Sequence, residues 1–242
     1  MVSQPRILSL KTVQISAIRT LMTALKDILL ETNIIFTKTG LKIINMDKSH
    51  TVLAHLNLDA RKFEEYHCEH NRIVVGVNML HLFKLINSID NNDTLTIYIE
   101  KEDYKDGVVQ HLGLTFENGD IKQQKNQKLR LIEPDTEELE VPQVEFSSVL
   151  TLPSSDFQKI VRDLSVLSDV IEISSVAGAC GAELIFKCTG AFAEAEVRRA
   201  EVEGAMTYMC KQEENSVIQG RFSLKNLSYF IKCTNLCSHI EM

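Results

Sequence analysis

The stretch Leu41–Leu58, LKIINMDKSHTVLAHLNL, alternates apolar and polar residues on both sides of a polar bend. Period-two alternation broken by such a bend predicts two antiparallel strands joined by a turn. The turn carries Asp47, Ser49 and His50 within four residues. A carboxylate, a hydroxyl and an imidazole can form a nucleophile with its base, so a hydrolase is one reading. Nothing else in the chain supports it. There is no Gly-x-Ser-x-Gly elbow and no phosphate loop.

Working outward, Ile73–Val77, Thr94–Glu100 and Leu112–Phe116 also read as strands, and turn-forming residues separate them, Asn91-Asn92-Asp93 and Glu117-Asn118-Gly119-Asp120. Four segments change period. In Ser16–Leu30, Ile18, Leu21, Met22, Leu25, Ile28 and Leu29 recur at helical spacing, with Ser16 as the expected N-cap. Asn78–Ile89, Ser154–Leu164 and Ser223–Thr234 each repeat the pattern with one apolar stripe. The order of strand, helix, strands, helix and strands recurs after about residue 145. An internal duplication explains it. The segment between, LIEPDTEELEVPQVEF, Leu131–Phe146, reads as an extended connector. The fold class is therefore α+β, largely antiparallel, in two similar halves. The expected domains are 1–130 and 146–242, with the connector at 131–145.

At 242 residues the chain is long enough for two domains with cores of their own. No uncharged apolar run approaches the roughly 18 residues of a membrane span. The beginning MVSQPRILSL has no apolar leader. A soluble intracellular protein is expected, with its six cysteines, Cys68, Cys180, Cys188, Cys210, Cys233 and Cys237, reduced. HCEH, His67–His70, suggests a zinc site, but alternate residues of a strand point to opposite faces, which splits the four into pairs. No catalytic residue, cofactor or metal is assigned.

The helices carry the informative charge. Their polar faces hold Arg19 and Lys26, then Lys84, then Lys159 and Arg162, then Lys225 and Lys232, with only Asp27 and Asp163 as acids. The whole chain has 33 acidic against 26 basic residues and a net charge of −7. Lysines on one helix face are ordinary, whereas four such faces in an acidic chain form a segregated positive surface. Without a stacking platform or pocket, that surface suits phosphates rather than bases.

Several stretches resemble the proliferating cell nuclear antigen family of DNA sliding clamps: VQISAIRTLMTALKDIL, MDKSHTVLAHLNL followed by FEEYHCEHNRIVVGVNMLHLFKLI, LEVPQVEF, and LPSSDFQKIVRDLSVLSDVIEIS. The resemblance spans nearly the whole chain. It implies the DNA clamp fold, with sheets outside and two helices per domain on the inner face. It also implies a homotrimeric ring around double-stranded DNA that serves as a processivity factor and docking platform for DNA polymerase, clamp loader, and replication and repair proteins in the nucleus or a viral replication compartment. By matching position, Arg19, Lys26, Lys84, Lys159, Arg162, Lys225 and Lys232 face DNA. Met46, His50, Thr51, Leu53, Leu139 and Val141 match a pocket for client peptides carrying a glutamine and two aromatics. Ring closure is expected between edge strands near Asp120–Lys128 and Phe192–Arg199.

The chain departs from the family in places. Thr20 and Asn87 stand where lysines are frequent, Thr51 replaces an aliphatic residue, and the hairpin Val176–Glu183 has no lysine. The family pattern continues for about three strands after Lys232, so the second domain is expected to lack its last strands. A clamp relative acting in checkpoint signalling or transcription, in a heteromeric ring, is the alternative function.

Overall fold

The computed structural model describes residues 5–136, 139–141, 143–178, 181–210, 213 and 215–242. The chain divides into two compact units, Met1–Val141 and Pro142–Met242. Within the connector, Glu137, Glu138 and Pro142 lie outside the described residues, as does Cys180. The other five cysteines are free thiols.

In the first unit β1 (Arg6–Thr12) leads to helix α1 (Ile15–Ile28), followed by β2 (Glu31–Thr37), β3 (Gly40–Met46), β4 (Leu53–Asp59), β5 (Glu65–Cys68) and β6 (Arg72–Asn78). Helix α2 (Met79–Asn87) is followed by β7 (Thr94–Glu100), a small hairpin of β8 (Tyr104–Lys105) and β9 (Val108–Val109), β10 (His111–Asn118) and β11 (Gln123–Arg130). The strands form sheets in the orders β11-β10-β7-β1-β5 and β4-β3-β2-β6. The opening stretch is the β3–β4 hairpin, in register from Gly40 opposite Asp59 to Met46 opposite Leu53.

The second unit repeats this plan as far as the counterpart of β7. It runs β12 (Val149–Pro153), α3 (Ser154–Ser165), β13 (Val170–Gly178), β14 (Gly181–Thr189), β15 (Glu194–Ala200), β16 (Thr207–Cys210), β17 (Val217–Ser223), α4 (Leu224–Phe230), a 3-10 turn at Ile231–Leu236 and β18 (His239–Glu241). Its sheets are β15-β14-β13-β17 and β16-β12-β18. The first matches β4-β3-β2-β6 strand for strand, and the second matches β5-β1-β7. Duplicated topology follows from duplicated patterning.

Each helix pair covers a sheet because one stripe of each helix is apolar. Met22, Leu25 and Ile28 of α1 and Met79, Leu82 and Ile86 of α2 are buried, as are Phe157, Ile160, Val161 and Leu164 of α3. Truncating such a residue to alanine costs about 2–5 kcal/mol through lost transfer energy and a residual cavity. The ends differ from expectation. Ser16 is not the N-cap of α1: Gln14 holds that position without a side-chain cap, and the hydroxyl of Thr12 accepts the Gln14 amide instead. The fourth helix, expected over Ser223–Thr234, tightens to 3-10 geometry at Ile231, and Phe230 is exposed.

The start of the connector is fixed to the first unit. The Ile132 amide donates to the Gly76 carbonyl at 3.0 Å, and Asn33 exchanges two hydrogen bonds with the Asp135 backbone at 2.8 and 3.0 Å. A Cβ on Gly76 would lie 2.6 Å from the Ile132 carbonyl oxygen. Only glycine permits this approach. Gly76→Ala is expected to destabilise the first unit by about 1–3 kcal/mol through overpacking, read as a lower urea midpoint, with faster amide exchange at Ile132 and Asp135.

Candidate functional site

Two surfaces contain the residues singled out from the sequence. The first is the solvent side of the helices, taken separately for α1 and α2 in the first unit and α3 and α4 in the second. Lys84 on α2, Lys159 and Arg162 on α3 and Lys225 on α4 are exposed and make no ion pair among the described residues. Their charge is left to solvent and to whatever approaches. The other three are held by the protein itself. The Arg19 guanidinium donates to the Ile89 carbonyl and, at 2.9 Å, to Asn91, which ties α1 to the turn after α2. Lys26 pairs with Asp27 at 2.7 Å and lies 4.9 Å from the Phe83 ring centroid. Lys232 lies 5.8 Å over Tyr229.

One cation was missed because it comes from a strand. Lys125 of β11 reaches the C-terminal end of α2, where its ammonium donates to the Ser88 hydroxyl at 3.1 Å. Alternation in QQKNQK placed it on the helix side of the sheet, a signal masked by the polarity of the whole strand. An acid was also missed. Asp156 sits in the first turn of α3, where it pairs with Arg199 of β15 at 3.2 Å.

The second surface is the face of the β4-β3-β2-β6 sheet opposite the helices. Register puts Asn33, Ile44, Met46, Leu53 and Gly76 on that face, since Ile34, Ile43 and Ala54 beside them point into the core. The connector is anchored on it at Gly76 and Asn33. Met46 and Leu53 are a cross-strand pair, Leu139 is half-buried, and Val141 is exposed.

Asp47 builds the turn at the end of this hairpin. Its carboxylate accepts the amides of Ser49, Thr51 and Val52 at 3.2, 2.8 and 2.7 Å and the hydroxyl of Ser49. These bonds, the Ser49 hydroxyl foremost, hold its pKa far below the usual carboxylate range. His50 is exposed with φ at 54°, and no hydrogen bond joins its ring to Ser49 among the described residues. A hydrolytic triad needs the imidazole between hydroxyl and carboxylate. Here the carboxylate accepts the hydroxyl's hydrogen bond directly and the imidazole is left out, so Asp47, Ser49 and His50 form a structural turn.

The HCEH segment is also structural. Cys68 is buried, its thiol donating to the His70 carbonyl at 3.2 Å, and burial pushes its pKa up. The His70 ring stacks on Tyr104 with centroids 4.8 Å apart. No group of three or more metal-ligating side chains occurs among the described residues.

Comparison with known proteins agrees over both units. The family model of the proliferating cell nuclear antigen N-terminal domain matches residues 7–138, and that of the C-terminal domain matches residues 140–242. The probable DNA polymerase sliding clamp 1 of Paramecium bursaria Chlorella virus 1 is 31% identical over 234 residues, covering 96% of this chain and 86% of that protein.

Two outcomes follow from the geometry. Arg19→Ala is expected to lower stability by about 1–2 kcal/mol, because it strips charged donors from a part-buried carbonyl, whereas Lys84→Ala leaves thermal unfolding unchanged. The Asp47 turn is tight above pH 4, where the carboxylate is ionised even in the unfolded chain. It loosens as pH falls through the lower folded-state value, which amide exchange at Thr51 and Val52 would report.

Proposed function

The chain belongs to the proliferating cell nuclear antigen family and is a DNA sliding clamp, and from that premise we propose that three copies close into a ring whose helices line the hole. Clamps of this family are processivity factors that tether DNA polymerase to duplex DNA and catalyse no reaction. The observation that carries the assignment of the inner wall is the set Lys84, Lys159, Arg162 and Lys225, exposed and without an ion pair among the described residues, within a chain of net charge −7. Such a surface attracts phosphates without reading bases, and its affinity falls steeply with salt. A tether that must slide needs that weakness. Arg19, Lys26 and Lys232 add positive potential from positions set by their own neighbours.

Ring closure is assigned to β11 and β15, the outer strands of their sheets. An unpaired edge offers amides and carbonyls to another chain. The two edges differ in charge: β11 carries Lys125, Lys128 and Arg130 and no acid, whereas β15 balances Glu194 and Glu196 with Arg198 and Arg199. Contact between β11 of one copy and β15 of the next satisfies both open edges.

Client proteins carrying a glutamine and two aromatics are assigned to Met46, His50, Thr51, Leu53, Leu139 and Val141. The half-buried cross-strand pair Met46–Leu53 beside the anchored connector supports this. The clients include polymerase, clamp loader and repair proteins, and the place of action is the nucleus or a viral replication compartment. The polymerase-clamp relative favours replication over a checkpoint or transcription role.

Light scattering behind a sizing column tests the ring: a mass three times that of the 27.4 kDa chain at micromolar concentration is expected, and a persistent monomer contradicts closure. For the inner wall, the double variant Lys84→Glu and Lys159→Glu should weaken DNA binding for all sequences alike. The slope of log K against log salt should fall by about 1 for each phosphate that is no longer neutralised. An unchanged slope removes these residues from the DNA face.

A further inference from the structure

A cavity of about 40 Å³ lies inside the first unit, between its two sheets and both helices. Ile18 and Met22 of α1, Leu82 and Ile86 of α2, and Ile34 and Leu41 of the sheet lie around it. Its lining is hydrocarbon and thioether apart from Thr12, whose hydroxyl already accepts the Gln14 amide at 3.0 Å. A water there would forfeit most of its hydrogen bonds, since a buried water needs about 2–4 polar partners. Apolar matter forfeits no hydrogen bond by entering. One side is accessible: Leu56 and Leu58 of β4, Ile97 of β7 and Phe63 are only half-buried and form its mouth. β4 is an outer strand of its sheet, so its backbone can shift while disturbing a ladder on one side only.

We propose that this cavity is a binding site for a small apolar molecule, admitted between β4 and β7. At about 40 Å³ it holds far less than the ~150 Å³ apolar cavity that takes benzene. The ligand class is therefore a single apolar atom or a hydrocarbon of one or two carbons, unless the mouth widens. Met22 supplies the adaptable wall, because its thioether chain repacks at little cost. An occupant touches α1, α2 and both sheets together. It braces the DNA-side helices against the sheets, stabilising the folded unit by mass action.

Xenon dissolved under pressure is the probe, read by methyl NMR of the full chain. Expected are saturable shifts confined to methyls that line the cavity, Ile18, Met22, Ile34, Leu82, Ile86 and Ile97 among them, with a melting temperature that goes on rising with the logarithm of xenon concentration after the shifts saturate. Ile97→Phe, which plugs the mouth, should reduce these shifts at least fivefold while leaving DNA binding intact. If that variant fails to fold, the volume-conserving Leu58→Met should shift the affinity while preserving the methyl pattern. Shifts that rise linearly without saturation, or spread over surface methyls, would overturn the site, as would an undiminished response in folded Ile97→Phe.

Discussion

Each unit depends on one constraint: an antiparallel sheet that buries one face needs an apolar cover, and here the cover is a pair of helices, each with a single apolar stripe. Met22, Leu25, Leu82 and Ile86 in the first unit, and Phe157, Ile160 and Leu164 in the second, commit the helices to their sheets. That commitment sets where the opposite stripes go. Lys84, Lys159, Arg162 and Lys225 cannot turn inward without exposing the core, so their charges are held at the surface by packing rather than by ion pairs. The positive face of the helices is thus a by-product of helix amphipathicity.

The same economy shapes the other face of the first sheet. Alternation that sends Ile34 and Ile43 inward sends Asn33, Ile44 and Met46 outward. The connector then crosses that outward face, held by the Gly76 carbonyl and the Asn33 side chain. Asp47 closes the neighbouring hairpin with a fan of amide bonds, which fixes where Met46 and Leu53 present their side chains. A docking surface placed there rests on rigid backbone, although it is made of turn and linker residues.

The period of the apolar residues made the four helices and the duplicated order legible, because stripes at helical spacing and alternation at strand spacing are strong over ten residues or more. Charge segregation on the helices was legible for the same reason. Arg19 and Lys26 were legible as residue types but not as partners: Ile89 and Asn91, which hold Arg19, lie about seventy residues away, and the Phe83 ring beneath Lys26 belongs to another helix. The Asp106-Gly107 turn of the β8–β9 hairpin was a readable signal in a segment whose strands are too short for periodicity. Ser16 misled because a cap residue was sought by type, while the backbone bends two residues earlier at Gln14.

The defining property of a sliding clamp is that it holds DNA by topology, with contacts too weak to hold it otherwise. The most direct measurement threads fluorescent protein onto a linear duplex, blocks both ends with a bulky protein cap, and follows retention at moderate salt before and after a restriction cut. Long retention with blocked ends and rapid loss after cleavage is the predicted result. Equal retention before and after the cut, or rapid loss in both states, would contradict a ring that encircles DNA.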